Sequence, residues 1–247
     1  MNDLPLISVI MAVHHGEDYI EETIQSILNQ TYTNFEFIIV ANCSNDETIK
    51  QVHQFHDKRI KLYKTTICQL NFNLNYALSQ ATGEYIVRID ADDIAVPERF
   101  FKQVAYIAMY DVVGSNVDYI DEHSNIIGFK NYPQKNENIR KNIYYKSVLA
   151  HPSVMYKKDV ILKNSGYMGG KVSEDYDLWI RLMRDKSIQF YNIQENLTQY
   201  RIHPAQARGN NYAYAEIAGY FLREALHFKS FKALIGCFVY IAKVFFK

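Results

Sequence analysis

Residues 83–100, GEYIVRIDADDIAVPERF, constrain this chain more than any other stretch. Tyr85, Val87 and Ile89 alternate with Ile86, Arg88 and Asp90, the two-residue period of a strand. Gly83 reads as the end of the preceding helix. Pro97 suits the first turn of a following helix, and Glu98 complements its positive end. Asp90, Asp92 and Asp93 therefore fall at the C-terminal tip of a strand. Carboxylates this close repel one another, and at the end of a buried strand they need a cation or donor groups nearby. Hard oxygen ligands suit Mg²⁺ or Mn²⁺, which are held by one or two carboxylates together with substrate phosphates. A solvated, Asp-rich turn would explain the same residues. The strand-tip position favours a ligand, because open α/β sheets bind ligands there.

The remainder alternates strand and helix patterns. Leu6–Ala12 is a continuous apolar run suited to a central parallel strand. It follows Asp3 and has no cationic leader, so it reads as a strand and not as a signal peptide. Gly16 opens a helix with Ile20, Ile24, Ile27 and Leu28 on one face. Phe35–Ala41 and Arg59–Tyr63 read as strands, Asn42–Thr48 as a polar turn into a helix, and Leu70–Ala81 as a helical stripe. Val112–Tyr119 and Ile120–Phe129 suggest a hairpin, and Asn138–Ser147 a helix. Leu149–Tyr156 reads as a strand that Pro152 bends or confines to an edge. Two short strands follow, over Ile188–Asn192 and Leu197–Tyr200. This alternation predicts an α/β fold with a mostly parallel sheet and helices on both faces.

The 247 residues suffice for one domain with an appendage. Charge is balanced, 27 basic against 27 acidic, which gives no electrostatic case for nucleic acid. Cys43, Cys68 and Cys237 are scattered and odd in number; with no disulfide framework or zinc spacing, a reducing cytosol fits. His14 and His15 do not suggest a metal pair, because neighbours on an extended segment point to opposite sides.

A second chemical stretch follows the glycine-rich loop 166–170. Ser173 is a good N-cap residue, and Glu174 and Asp175 open a helix. Alone, those acids would merely complement the helix dipole. From Leu222 onward one helical pattern carries Phe228, Phe231, Leu234, Ile235, Phe238, Ile241, Ala242 and Phe245 at steps of three and four. Lys229, Lys232, Lys243 and Lys247 are the only charges after Glu224. Ala233–Ala242 is too short to cross a bilayer, which needs about 20 residues. The pattern fits a helix lying in a membrane interface, or one packed on the main domain or a second subunit.

Taken in order, these motifs resemble those of family 2 glycosyltransferases, which bind nucleotide sugars on the GT-A fold. Asp90-Ala91-Asp92-Asp93 with Pro97-Glu98-Arg99-Phe100 matches the family's metal motif. Glu174-Asp175-Tyr176-Asp177-Leu178-Trp179-Ile180-Arg181-Leu182 matches its catalytic Glu-Asp motif, and Arg201-x-His203 its closing pair. Ser8-Val9-Ile10, Gly16-Glu17, Ser26–Thr31 and Ser44-x-Asp46-x-Thr48 extend the likeness, which runs from Pro5 to His203. Two departures stand out. Ala12, His14 and His15 replace the usual Pro-x-Tyr-Asn, and Ala41-Asn42-Cys43-Ser44 replaces Asp-Asp-Gly-Ser. Asn42 still carries a carbonyl and an amide with which to read a base edge.

The resemblance implies a GT-A-type, Rossmann-like mixed sheet over residues 1–210 and a C-terminal helical tail over 211–247. It implies a metal-dependent, inverting transfer from a nucleotide-diphosphate sugar, with a UDP-sugar favoured. Ala12, His14, Ala41, Asn42, Arg88, Asp90, Asp92 and Arg201 would bind the donor, Arg201 by neutralising phosphate charge. Asp92, with Asp90, Asp93 and His203, would hold Mn²⁺ or Mg²⁺. Asp175 would be the general base, with Glu174 as the second choice. Arg88 has an alternative as a structural partner of a nearby carboxylate. His151 would face the acceptor or be a satisfied structural histidine. The acceptor would be a saccharide or glycolipid of cell-surface polysaccharide, lipopolysaccharide or capsule synthesis. The enzyme would be cytoplasmic, with membrane-surface contact through the tail, and a homodimer stays open. The competing readings are a nucleotidyltransferase, for which His14-His15-Gly16 is a poor phosphate loop, and a catalytically decayed sugar-binding module.

Overall fold

The apolar run near the N-terminus forms β1 (Ile7–Val13), buried along its whole length in the middle of the sheet. A strand without a polar face needs cover on both sides, and the computed structural model provides it. The structure describes residues 4–43, 46–203 and 211–246. Ser44, Lys247 and the expected boundary at residue 210 lie outside the described residues.

The first half runs α1 (Ile20–Leu28), β2 (Phe35–Asn42), α2 (Asp46–Gln54), β3 (Ile60–Thr65), α3 (Leu70–Gln80) and β4 (Tyr85–Arg88). β3, β2, β1 and β4 lie side by side and parallel. Successive side chains leave a strand on opposite faces. Ile10, Ile38 and Ile86 accordingly pack with Leu74, Ala77 and Leu78 of α3, while Val9, Phe37 and Ile39 pack with Ile20, Ile24 and Ile27 of α1.

The second half adds β5 (Ile94–Ala95), α4 (Arg99–Ile107), β6 (Val112–Ile120), β7 (Ile126–Lys130), α5 (Asn136–Asn142), β8 (Met155–Lys157), α6 (Lys158–Lys163), α7 (Glu174–Leu182) and β9 (Phe190–Arg201). The sheet order is β3-β2-β1-β4-β8-β6-β9-β5, with β7 paired to β6. β6 and β9 are parallel; β8 runs antiparallel between β4 and β6 and joins the two parallel groups. Leu178, Trp179 and Leu182 of α7 close the core.

Several expectations change. Helix α3 ends at Gln80, and Gly83 serves a different purpose. A Cβ there would lie 2.6 Å from the Leu6 carbonyl oxygen and 2.8 Å from the Ser8 nitrogen, so glycine lets the chain entering β4 approach β1. The proposed strand 149–156 is mostly a 3₁₀ turn at His151–Ser153, and β8 keeps three residues in the sheet interior, not at its edge. The two short strands over 188–200 are one strand, β9, irregular opposite Ser115 and Asn116. Ser173 does not cap α7 with its side chain; its hydroxyl donates to the Ala213 carbonyl. The tail is two helices, α8 (Asn211–His227) and α9 (Phe231–Phe245), broken where Lys229 takes a left-handed φ of 52°. Phe221, Ala233, Cys237 and Tyr240 join the main core beside Tyr176 of α7. No described helix is long and apolar enough to cross a membrane.

Candidate active site

Loops at the C-terminal ends of β1, β2 and β4 open into a cleft of about 1710 Å³, with the start of α7 on its wall. Its lining includes Ala12, His14, Asn42, Arg88, Asp90, Asp92, Glu174, Asp175 and His203, as the sequence suggested.

Carboxylate oxygens of Asp90, Asp92 and Asp93 lie within 4.8 Å of one another. Asp92 Oδ2 is 3.0 Å from His203 Nε2. Asp90 is ion-paired with Arg88, which is 1 % exposed. The pairing reading of Arg88 thus holds, and the same side chain also reaches the cleft wall. Oxygen donors from two cleft-lining acids, beside a histidine nitrogen, suit a hard divalent cation. Asp93 differs from the other two. It is fully buried off the cleft, takes the Arg201 backbone N–H at 2.8 Å, and leaves Oδ2 without a partner. Burial, and then the charges of Asp92 and Asp90, push its carboxyl well above the usual range. Arg99, also fully buried, donates to the Arg88 carbonyl at 2.8 Å, and Asp93 acts on it electrostatically. Burial, helped by the charge of Arg88, drives the Arg99 guanidinium down to about 9, against the pull of Asp93.

Arg201 does not line the cleft. Tyr200 in β9 and Ile202 just after it do, and the alternation of side chains turns Arg201 inward. Its Nε donates to the Asp92 carbonyl at 2.8 Å, and Nη1 to the Asp121 carbonyl at 2.9 Å and Ser124 Oγ at 3.1 Å. Nη2 meets Glu22 Oε2 at 2.5 Å, and the guanidinium lies 4.5 Å over the Tyr19 ring. The expected phosphate ligand is instead a brace behind Asp92. The same parity corrects Ala41: Asn42 faces the cleft, whereas Ala41 packs in the core with Met11 and Ile39.

His14 Nδ1 is 2.9 Å from the Asn42 carbonyl and ties the loops after β1 and β2 together. The His14 and His15 rings stand 4.2 Å apart, because His15 takes φ 51° and the segment is not extended there. Cys43 and Cys68 form a disulfide with Cα atoms 5.6 Å apart, contrary to the expectation of no disulfide framework, and the cysteines therefore give no argument for a reducing cytosol. The spacing could not reveal it: the pair joins two loop ends brought together by β2 and β3.

At the other side of the cleft, burial and then the charge of Asp175 push Glu174 up to about 8. Burial also pushes Asp175 up to about 6, against the Tyr176 backbone N–H and Arg88. Glu174 is 4 % exposed and Asp175 is half-buried at the cleft. Glu174 Oε1 is 3.6 Å from His151 Nδ1, and His151 Nε2 is 2.9 Å from the Tyr167 hydroxyl. Burial and Arg88 hold His151 neutral, well below its ordinary value. Arg88 therefore stands between the two acidic groups and acts on both. The glycine-rich loop leading to α7 is fixed by Glu216 of α8, which accepts the Lys171 N–H at 2.6 Å. Gly170, at φ 42°, has no room for a Cβ beside the Glu216 carboxylate, which would lie 2.3 Å from it. Glu22, Tyr167, Arg99 and Glu216 were not singled out from the sequence; only Arg99, inside the Pro-x-Arg motif, carried any signal.

A mixed sheet with an acidic strand tip facing an acidic helix start is the architecture of a GT-A glycosyltransferase. Residues 8–163 match the family described as Glycosyl transferase family 2, and the chain belongs to that family and is a glycosyltransferase. It is 42% identical over 250 residues to the Escherichia coli O-antigen biosynthesis glycosyltransferase WbnJ, covering 99% of this chain and 98% of that one. It is 29% identical over 216 residues to the E. coli UDP-Glc:alpha-D-GlcNAc-diphosphoundecaprenol beta-1,3-glucosyltransferase WfaP, covering 85% and 82%. Among solved structures, S. aureus TarS 1-349 in complex with UDP-GlcNAc superposes with a TM-score of 0.70 at 20% identity, over 97% of this chain and 72% of that one. The mannosyltransferase PcManGT from Pyrobaculum calidifontis, in complex with GDP-Man and Mn²⁺, gives 0.71 at 16% identity, over 97% and 70%.

Proposed function

We propose that this enzyme transfers a sugar from a UDP-sugar to a hydroxyl of a saccharide or glycolipid acceptor, with inversion at the anomeric carbon, during assembly of a cell-surface polysaccharide such as an O-antigen. One observation carries this reading: Asp90 and Asp92 share a single cleft with Asp175. Asp92, with Asp90 and His203, would hold Mn²⁺ or Mg²⁺, and the bound ion would supply positive charge beside the leaving diphosphate. Ala12, His14 and Asn42 wall the base end, where the Asn42 amide offers both a donor and an acceptor. Asp175 accepts the proton of the acceptor hydroxyl. With its pKa near 6 it is ionised at neutral pH, yet more basic than an ordinary aspartate. Glu174, near 8, stays protonated there and leaves Asp175 as the base. Attack from the face opposite the diphosphate inverts the anomeric centre. Tyr200, Tyr212 and Tyr214 on the cleft wall offer apolar ring faces to acceptor sugars.

Kinship with WbnJ and WfaP supports the pathway and the acceptor class, and the folds of TarS and PcManGT support a nucleotide-sugar donor and Mn²⁺. The reading puts the enzyme in the cytoplasm, at the inner face of the membrane when the acceptor is a glycolipid. The test is incubation with a panel of nucleotide sugars and Mn²⁺, following products by chromatography and the anomeric configuration by NMR. UDP release with an inverted product is expected. Pyrophosphate would indicate nucleotidyl transfer instead, and binding without turnover a decayed site.

A further inference from the structure

Helices α8 and α9 are two-faced. Toward the domain they bury Phe221, Cys237 and Tyr240, and Tyr212 and Tyr214 reach the cleft on the side of Asp175. The other face is apolar and open. Ala215, Gly219, Leu222 and Leu226 recur every three or four residues along α8, and Phe231, Phe238 and Phe245 recur every seven, two turns apart on one face, along α9. Leu226 is 74% exposed, Phe231 73%, Phe238 63%, Phe245 74% and Phe246 89%. Between the two rows runs a groove of about 310 Å³ whose walls, including Leu222, Ile241, Val244 and Phe245, carry no charged side chain. So continuous an apolar surface marks an interaction site.

Charge selects the occupant. No Asp or Glu follows Glu224 in the chain. The acids of α8 are turned to the domain: Glu216 holds the glycine-rich loop, and Glu224 is paired with Arg184 and Arg223. Lys229 and Lys232 stand exposed at the helix junction beside Phe228 and Phe231. A second copy would fit poorly, because a two-fold interface sets a patch against itself and brings these lysines together with no acid between them. An anionic lipid surface supplies the missing negative charge and accepts aromatic and leucine side chains into its interface.

We propose that the α8–α9 hairpin docks on an anionic membrane surface, with its phenylalanine rows in the interface, and so holds the Asp175 side of the cleft next to the membrane. The docking goes beyond the glycosyl-transfer reading; only its use, presenting a membrane-held acceptor to Asp175, rests on that reading.

The test uses the full chain with large unilamellar vesicles, comparing phosphatidylglycerol–phosphatidylethanolamine with pure phosphatidylcholine by co-sedimentation. Strong binding is expected to the anionic vesicles only, weakening as salt screens the lysines. The double variant Phe231→Ser/Phe238→Ser should lower partition by about 10–100-fold, and Lys229→Glu/Lys232→Glu should abolish the preference for anionic lipid. Because every altered side chain is exposed, UDP release from donor in free solution should match the parent for both variants, which separates failed docking from failed chemistry. The proposal is overturned if the parent stays in the supernatant with both lipids, if the variants bind as the parent does, or if the phenylalanine variant instead dissociates a dimer seen by light scattering.

Discussion

Replacing Arg201 with methionine should weaken both the fold and the metal end of the cleft. The side chain is fully buried and its guanidinium serves the carbonyls of Asp92 and Asp121. Methionine keeps much of the stem volume and leaves those two carbonyls without a cationic donor. A hydrogen bond to a charged group contributes about 1.5–3 kcal/mol, and the loop edge lets water recover part of it. The low end, taken twice, gives a loss of about 3 kcal/mol. Glu22, 47% exposed, returns to water and adds little. For a chain of this size the loss corresponds to a Tm lower by roughly 6–12 °C. The larger consequence is positional, because the Asp92 peptide is held by this contact. A displacement of about 1 Å at a reacting centre costs on the order of 100-fold in rate. Differential scanning fluorimetry and Mn²⁺ titration of UDP release measure the two effects, and half-saturation by Mn²⁺ should rise. Glu22→Gln is the control and should shift Tm by less than about 3 °C. A methionine variant with parental Tm and parental Mn²⁺ dependence would refute the brace.

Three further outcomes follow from named groups. Asp175→Asn should lower transfer by about 10²–10⁴-fold with donor affinity kept, and the parent's rate should rise with pH through about 6 and then level, as Asp175 ionises; a flat profile from pH 5 to 8, or normal turnover by the variant, speaks against the base. Burial alone would raise the pKa of Glu36, but hydrogen bonds from Lys61, Ser8 and Thr82 bring it down to about 2 from an ordinary 4.5. Its folded-state value being the lower, its contribution of about 3 kcal/mol is present above pH 4.5 and lost as pH falls toward 2; acid-unfolding curves of Glu36→Gln should lack that loss, and parallel curves would contradict it. Mass-spectrometric thiol counting on unreduced, denatured protein should find Cys237 as the only free cysteine, whereas reactive Cys43 and Cys68 would mean that the pair is open.

The sequence made the sheet's first half legible because β1, β2 and β4 are buried on both faces, and such strands read as unbroken apolar runs. The acids at Asp90–Asp93 and Glu174–Asp175 were visible because each group sits beside an element end that local patterning marks. Side-chain direction was harder. Arg201 and Ala41 each lie one residue from a position that faces the cleft, and strand parity decides between wall and core. Register in β9 is fixed by its pairing with β6, which no local pattern displays. Long-range partners left little trace: Glu22 meets Arg201, and Glu216 meets Lys171, only after distant segments have folded together. His151–Ser153 misled in a different way, since Pro152 was read as a bend in a strand where the chain forms a 3₁₀ turn.

Calorimetric titration of UDP into the parent, Asp92→Asn and Asp175→Asn proteins, each with and without Mn²⁺, addresses the division of labour along the cleft most directly. The parent should bind UDP more tightly with Mn²⁺, Asp92→Asn should lose that enhancement, and Asp175→Asn should keep it. Equal enhancement in all three proteins, or none in the parent, would contradict a donor site built on Asp92 and separate from the base.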